Sequence, residues 1–158
     1  MLEFKLLLIL IAANGIPIVV HHWFGGRFSQ PIDGRKRLAD GYPLFGSAKT
    51  WRGFLSGSLG AAVIAVLLGF SQVFGLTFAV LSLSGDLFSS FIKRRMKLVP
   101  SSKCIGVDQI PEALLPLIAG AYWLDYGLSS IVIVALSFFL LNILASPVLV
   151  RLGFRKHH

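Results

Sequence analysis

Apolar runs that are uncharged, or nearly so, alternate along this chain with segments crowded with cations. The runs cover Phe4–Val20, Phe54–Phe70, Val73–Ile92, Ile110–Leu124 and Leu128–Val150. An α-helix rises about 1.5 Å per residue, so about 20 residues, with about 17 as the lower limit, cross a hydrocarbon core of about 30 Å. Four of the runs reach that length. The other, Ile110–Leu124, is shorter and carries Pro111, Glu112 and Pro116, so its start is expected to be irregular, which a bilayer tolerates where backbone lines a cavity. The pattern predicts an all-α integral membrane protein of about five transmembrane helices with two long cytoplasmic loops, residues 1–158 forming a single transmembrane domain.

Composition agrees with the pattern. The 158 residues are 55% hydrophobic and only 14% charged, with a mean hydropathy of +0.77, whereas an average soluble domain has about a quarter charged residues. The first run follows Lys5 as the core of a signal peptide would. No small-residue cleavage pattern comes after it and the apolar stretch resumes through Ile16–Val20, so it is read as a helix. The single cysteine, Cys104, excludes an intramolecular disulfide and suits a reducing compartment.

The charges then orient the helices. If all five cross, residues 21–53, 93–109 and 151–158 share one side. That side holds fourteen of the fifteen Lys and Arg, with Lys5 alone opposite. The positive-inside rule puts those segments in the cytoplasm and the N-terminus outside, in the cell (inner or plasma) membrane. Such cations can simply fix topology and grip anionic lipid. The length of the two loops argues for more, because long ordered loops are commonly functional. Nothing points to nucleic acid.

Three stretches carry candidate chemistry. In GDLFSSFIKRR, Gly85 to Arg95, the side chains Asp86, Ser89, Ser90, Lys93 and Arg94 recur at i, i+3, i+4, i+7 and i+8, a polar stripe on one helix face. An unpaired Asp in hydrocarbon costs about 2.5–3.5 kcal/mol on insertion scales, so Asp86 needs a partner, water or a metal. It could be neutralised within its own helix, through Ser90 and the cations, or serve a magnesium-bound polyphosphate. In GVDQIPEALLP, Asp108 and Glu112 are four residues apart and can share a face, yet they also read as acids favouring a helix N-terminus. Oxygen donors such as Asp86 and Asp108 suit Mg2+, with Glu112 added on spacing alone. In the first loop, Lys49 and Arg52 can hold phosphate. The Gly41-x4-Gly46 spacing is not a P-loop, because Lys49 comes two residues late and no strand precedes it. His21, His22 and Trp23 read as membrane-interface residues, and His157–His158 as either native residues or a tag remnant.

Taken together and in order, DGYPLFGSAKTWRG, GDLFSSFIKRR and VDQIP resemble the CDP-archaeol synthase family, itself similar to the CDP-diacylglycerol synthases (phosphatidate cytidylyltransferases). The resemblance runs from about Pro31 to Pro116. It implies an enzyme that joins CTP to a lipid phosphate and releases pyrophosphate, with Mg2+ as cofactor. It assigns Asp86, Lys93, Arg94 and Asp108 to catalysis. It assigns Lys49, Thr50, Arg52, Gly53, Ser90 and Gln109 to CTP or lipid phosphate, and Asp86 and Asp108 to metal. Ser89 and Arg95 join the phosphate-binding candidates as their neighbours in GDLFSSFIKRR, and Glu112 joins the metal candidates on spacing alone. PSSKCIG, Pro100 to Gly106, departs from the CDP-diacylglycerol synthase pattern. A CTP-dependent lipid kinase or an anionic-lipid-binding membrane scaffold stays open on the residues, as does whether the lipid is an archaeal ether lipid phosphate or phosphatidate. A homodimer would help such a chain enclose its site.

Overall fold

Apolar side chains at i, i+3, i+4 and i+7 of the first helix, Leu6, Ile9, Leu10 and Ala13, are fully buried, and the bundle is organised around them. The computed structural model describes residues 1–98, 104 and 106–151; Pro100 to Lys103, Arg155, Lys156 and His157–His158 lie outside the described residues. Among the described residues there are five helices: α1 Leu2–Phe24, α2 Trp51–Leu67, α3 Gln72–Arg95, α4 Gln109–Leu124 and α5 Leu128–Arg151. Two isolated β-bridges, Pro31 with Thr50 and Arg37 with Pro43, tie the α1–α2 loop. Three helical stretches, Leu2–Phe24, Gln72–Arg95 and Leu128–Ala145, are long and apolar enough to cross a membrane, and α2 is a shorter apolar helix.

Successive helices pack as neighbours and α5 returns to α1, closing a ring in which α1 also touches α3. The core is filled by Ala61 and Ala65 of α2, Phe74, Phe78 and Ala79 of α3, Ala113 and Leu117 of α4, and Val134 and Phe138 of α5. Large apolar side chains such as Val63, Leu67, Leu136 and Leu140 face outward. In water that would be a liability, but lipid tails are as apolar as leucine, so close approach of backbones decides packing instead. At Gly57 on α2 an added Cβ would stand 2.5 Å from the Ala13 carbonyl oxygen of α1.

The fourth helix corrects one expectation. It is regular from Gln109 onward, with Pro111 in its first turn, where a missing N–H costs nothing because that N–H has no intrahelical partner anyway. α1 also runs further than its apolar run, through the exposed His21, His22 and Trp23 to Phe24. α3 keeps its three terminal cations helical and then stops in a Schellman turn. Leu98 N–H donates to the Lys93 carbonyl, Lys97 N–H to the Arg94 carbonyl, and Lys97 takes φ 59°.

Candidate active site

Consecutive helical residues point about 100° apart, so Lys93, Arg94 and Arg95 cannot share a task. Lys93 is buried and makes an ion pair with Asp108 Oδ1 at 2.6 Å. Arg95 reaches into the first loop, bonding Asp40 Oδ2 at 2.5 Å and donating to the carbonyls of Pro43 at 2.7 Å and Tyr42 at 3.4 Å, while lying over the Phe91 ring. Arg94 is 1% exposed, and its Nε and Nη1 have no hydrogen-bond partner among the described residues. A buried guanidinium with free donors is costly, since each unmet polar group forfeits about 1–3 kcal/mol and charged groups more. An anion bound there would offset that expense.

About two helical turns before them sits Asp86, whose carboxylate meets Lys49 of the first loop, Nζ to Oδ2, at 2.5 Å. Burial disfavours the Lys49 ammonium, but the charge and hydrogen bond of Asp86 outweigh it and hold the lysine above its ordinary pKa. The second neighbour of Asp86 is Glu112 of α4, and the two carboxyl groups share a hydrogen bond. Two acids this close need a proton or a cation between them. Gly85 permits the approach: a Cβ there would stand 2.2 Å from the Pro111 carbonyl oxygen and 2.7 Å from the Glu112 nitrogen. The glycine of the GD pair thus lets α4 lie against α3 so that Glu112 reaches Asp86.

The internal pairing of Asp86 with Ser90 is not what forms. Ser89 Oγ donates to the Asp86 backbone carbonyl, and Ser89 and Ser90 are both buried. Asp108 stands at the N-cap of α4 but makes no side-chain cap there. Its Oδ2 accepts from the Cys104 N–H at 3.1 Å, opposite the oxygen that meets Lys93. Gln109 turns its Oε1 to the Gly106 N–H, again a local bond.

Of the first-loop residues expected at the site, only Lys49 is brought to a carboxylate of α3. Thr50 is the N-cap of α2, accepting from Gly53 N–H at 3.1 Å, and Gly53 lies against Pro17. Arg52 closes the end of α1, donating to His21 Nδ1 at 3.0 Å, to the Gly25 carbonyl at 2.9 Å and to the Arg27 carbonyl. Substitution of Thr50, Arg52 or Gly53 therefore acts first on the α1–α2 elbow.

The donors fit a hard divalent cation. Asp86 and Glu112 offer only oxygen, and magnesium commonly takes one or two carboxylates with phosphates and waters completing its shell. Among the described residues no three His, Cys, Asp or Glu side chains form a metal-holding group, so the three-carboxylate set of Asp86, Asp108 and Glu112 is not assembled. Asp108 is committed to Lys93. The arrangement combines an acid pair for a cation, two lysines and a buried arginine with free donors, which is what binding a polyphosphate beside a membrane lipid requires.

Comparison with known proteins agrees. The family model described as CarS-like CDP-archaeol synthase matches residues 2–157. A CDP-archaeol synthase of Hyperthermus butylicus is 35% identical over 121 residues, 71% of this chain and 69% of that one. One from Thermococcus gammatolerans is 39% identical over 127 residues, 70% and 67% respectively. One from Sulfurisphaera tokodaii is 36% identical over 135 residues, 80% of each. A solved intramembrane enzyme of archaeal membrane lipid biosynthesis superposes with a TM-score of 0.70 at 29% identity, covering 87% of this chain and 90% of its own. The chain belongs to the CDP-archaeol synthase family, and is a membrane-embedded cytidylyltransferase that uses CTP to activate a lipid phosphate.

Proposed function

We propose that this enzyme transfers the cytidylyl group of CTP to an isoprenoid ether lipid phosphate at the cation-rich end of α3, with that end in the cytoplasm. The names carried by its relatives support the lipid, and the fourteen-to-one distribution of Lys and Arg supports the orientation. One observation carries the site: the buried Arg94, with Nε and Nη1 unpartnered among the described residues, follows Asp86 by two helical turns on the same helix.

The reaction joins two anions. A phosphate oxygen of the lipid attacks the α-phosphorus of CTP, a new P–O bond forms, the bond to the bridging oxygen of the β-phosphate breaks, and pyrophosphate leaves. No covalent enzyme intermediate is needed, so the protein's contribution is position and charge. Asp86 and Glu112 would hold Mg2+, which when bound offsets phosphate charge. Arg94 presents a planar fork to the departing pyrophosphate, where a point charge would fit less well. Lys49 and Lys93, each now paired with a carboxylate, would exchange part of that pairing for phosphate oxygens. Ser89 stays hydrogen-bonded to its helix and is not a nucleophile, with no histidine close to it in sequence to activate it.

The test is transfer of label from α-labelled CTP into a chloroform-soluble product by purified protein with magnesium, with isoprenoid ether and diacyl lipid phosphates assayed side by side. Incorporation into the ether lipid with equimolar pyrophosphate is expected. Release of CDP in place of pyrophosphate would instead identify a kinase, and equal use of both lipids would remove the ether-lipid assignment.

A further inference from the structure

Asp33 lies in the loop between α1 and α2, away from the helices, and is 5% exposed. Among the described residues, its carboxylate bonds only to backbone N–H groups. Oδ2 accepts from Phe45 N–H at 3.0 Å and Gly46 N–H at 2.9 Å, and Oδ1 from Arg35 N–H at 2.9 Å. Burial works against the ionised form, but these donated N–H groups win and hold the carboxyl below its ordinary pKa. Hydrogen bonds to a charged group contribute about 1.5–3 kcal/mol each. Three on one buried carboxylate make a knot that joins two stretches of the loop twelve and more residues apart.

The position of the knot is informative. Lys49 is held through its backbone at both of its polar groups. Its carbonyl accepts from Ile32 N–H at 2.8 Å, and its N–H donates to the Gly46 carbonyl at 3.2 Å. Ile32 is the residue before Asp33, and Gly46 is one of the donors to its carboxylate. The two groups that fix Lys49 are therefore both fixed by Asp33. Beside it Arg35 accepts unfavourable backbone: it follows Gly34 into positive φ, at 63° after 56°, in a turn closed by Lys36 N–H to the Asp33 carbonyl, and αL costs a non-glycine residue roughly 1–2 kcal/mol.

We infer that Asp33 is a positioning residue, whose carboxylate holds the first loop in the one arrangement that delivers the Lys49 ammonium to Asp86 on α3. It touches neither substrate nor metal, and its effect on turnover rests on the reading of Lys49 as part of the active site. Asparagine cannot replace it, because an amide has one acceptor oxygen and would turn an NH2 toward N–H donors.

Two measurements separate the placement from the activity. In a Cys104→Ser chain, Lys49→Cys and Asp86→Cys are joined by a short bifunctional thiol reagent. With the ion pair removed, the loop's own structure, which also presents Asp40, Tyr42 and Pro43 to the Arg95 clamp, keeps the two positions adjacent. Cross-linking is expected with Asp33 and should fall about fivefold or more when Asp33→Asn is added. Separately, Asp33→Asn alone, with Lys49 and Asp86 intact, is expected to lose about tenfold in cytidylyl transfer, equivalent to about 1.4 kcal/mol, with its unfolding transition retained. Undiminished cross-linking overturns the assignment. So does an Asp33→Asn chain without an unfolding transition, since the carboxylate would then hold the whole bundle. Lost cross-linking with full activity would uphold the positioning and instead remove Lys49 from the active site.

Discussion

The two ends of this bundle handle charge in opposite ways. At the end bearing the N-terminus, charged and polar groups settle with modest local partners. Lys5 donates to the Leu68 carbonyl at 2.8 Å and lies over the Phe70 ring, Glu3 accepts from Ser130, and the Tyr126 hydroxyl donates to the Leu117 carbonyl. At the other end, two carboxyl groups are pressed together, two lysines are drawn onto acids, and Arg94 is buried with two nitrogens that have no partner among the described residues. Groups that are satisfied maintain a structure. Groups that are costly until something binds are kept for what binds, because each unmet donor there lowers the stability of the empty protein.

The comparison is broken most directly at Asp86. Asp86→Asn keeps the shape and removes the charge that Lys49 and a metal would both use. Label transfer from CTP should fall by about 10³-fold or more, at the upper end of what loss of one preorganised electrostatic group costs, while the protein still inserts and unfolds cooperatively. Activity within tenfold of the parent would sink the metal role.

Neighbouring arginines sharpen it further. Arg94→Lys retains a buried cation but loses the fork, and a drop in kcat/KM of about 10–100-fold is expected. Arg95→Lys loosens only the clamp on Asp40, Tyr42 and Pro43 and should cost about threefold or less, seen mainly as faster proteolysis between residues 35 and 47. Pyrophosphate with magnesium should raise the unfolding temperature of the parent and of Arg95→Lys, and fail to do so for Arg94→Lys, because only a ligand that binds the native state stabilises it. Equal losses in the two variants would show that unpartnered nitrogens have no bearing on the reaction.

Much of this division was legible in the sequence. The apolar runs located all five helices, and helical periodicity alone gathers Asp86, Ser89, Ser90, Lys93 and Arg94 on one face of α3; that this face turns inward, burying Ser89, Ser90, Lys93 and Arg94, is visible only in the structure. Partnerships across elements were not legible. Nothing in the spacing says that Asp86 meets Glu112, which depends on Gly85 letting α4 approach to within contact. Likewise Thr50, Arg52 and Gly53 form one motif with Lys49 in the sequence, yet one turn of helix sends them to a cap, to the end of α1 and to Pro17. Asp33 carried a local signal, an Asp before Gly in a loop, which favours a side-chain-closed turn. The same signal marks Asp40, which is exposed, and only burial tells the two apart.

The smallest expected effect is at Lys5, and it tests the comparison from the quiet side. Its ammonium sits at the C-terminus of α2, where a cation is worth about 0.3–1 kcal/mol against the helix dipole, and its contact with Phe70 adds about 0.5–1 kcal/mol. Lys5→Met keeps an unbranched side chain of similar length and gives up both terms. A loss of about 1–2 kcal/mol follows, or a fall of a few degrees in the unfolding temperature for a chain of this size. Topology should not change, because removing Lys5 takes the distribution of Lys and Arg from fourteen against one to fourteen against none. Turnover should stay within about twofold, since nothing links Lys5 to the reacting phosphates except the rigidity of the bundle between them. A loss of turnover approaching that of Arg94→Lys, at unchanged unfolding temperature, would mean that the two ends are coupled and that the satisfied end is no mere support.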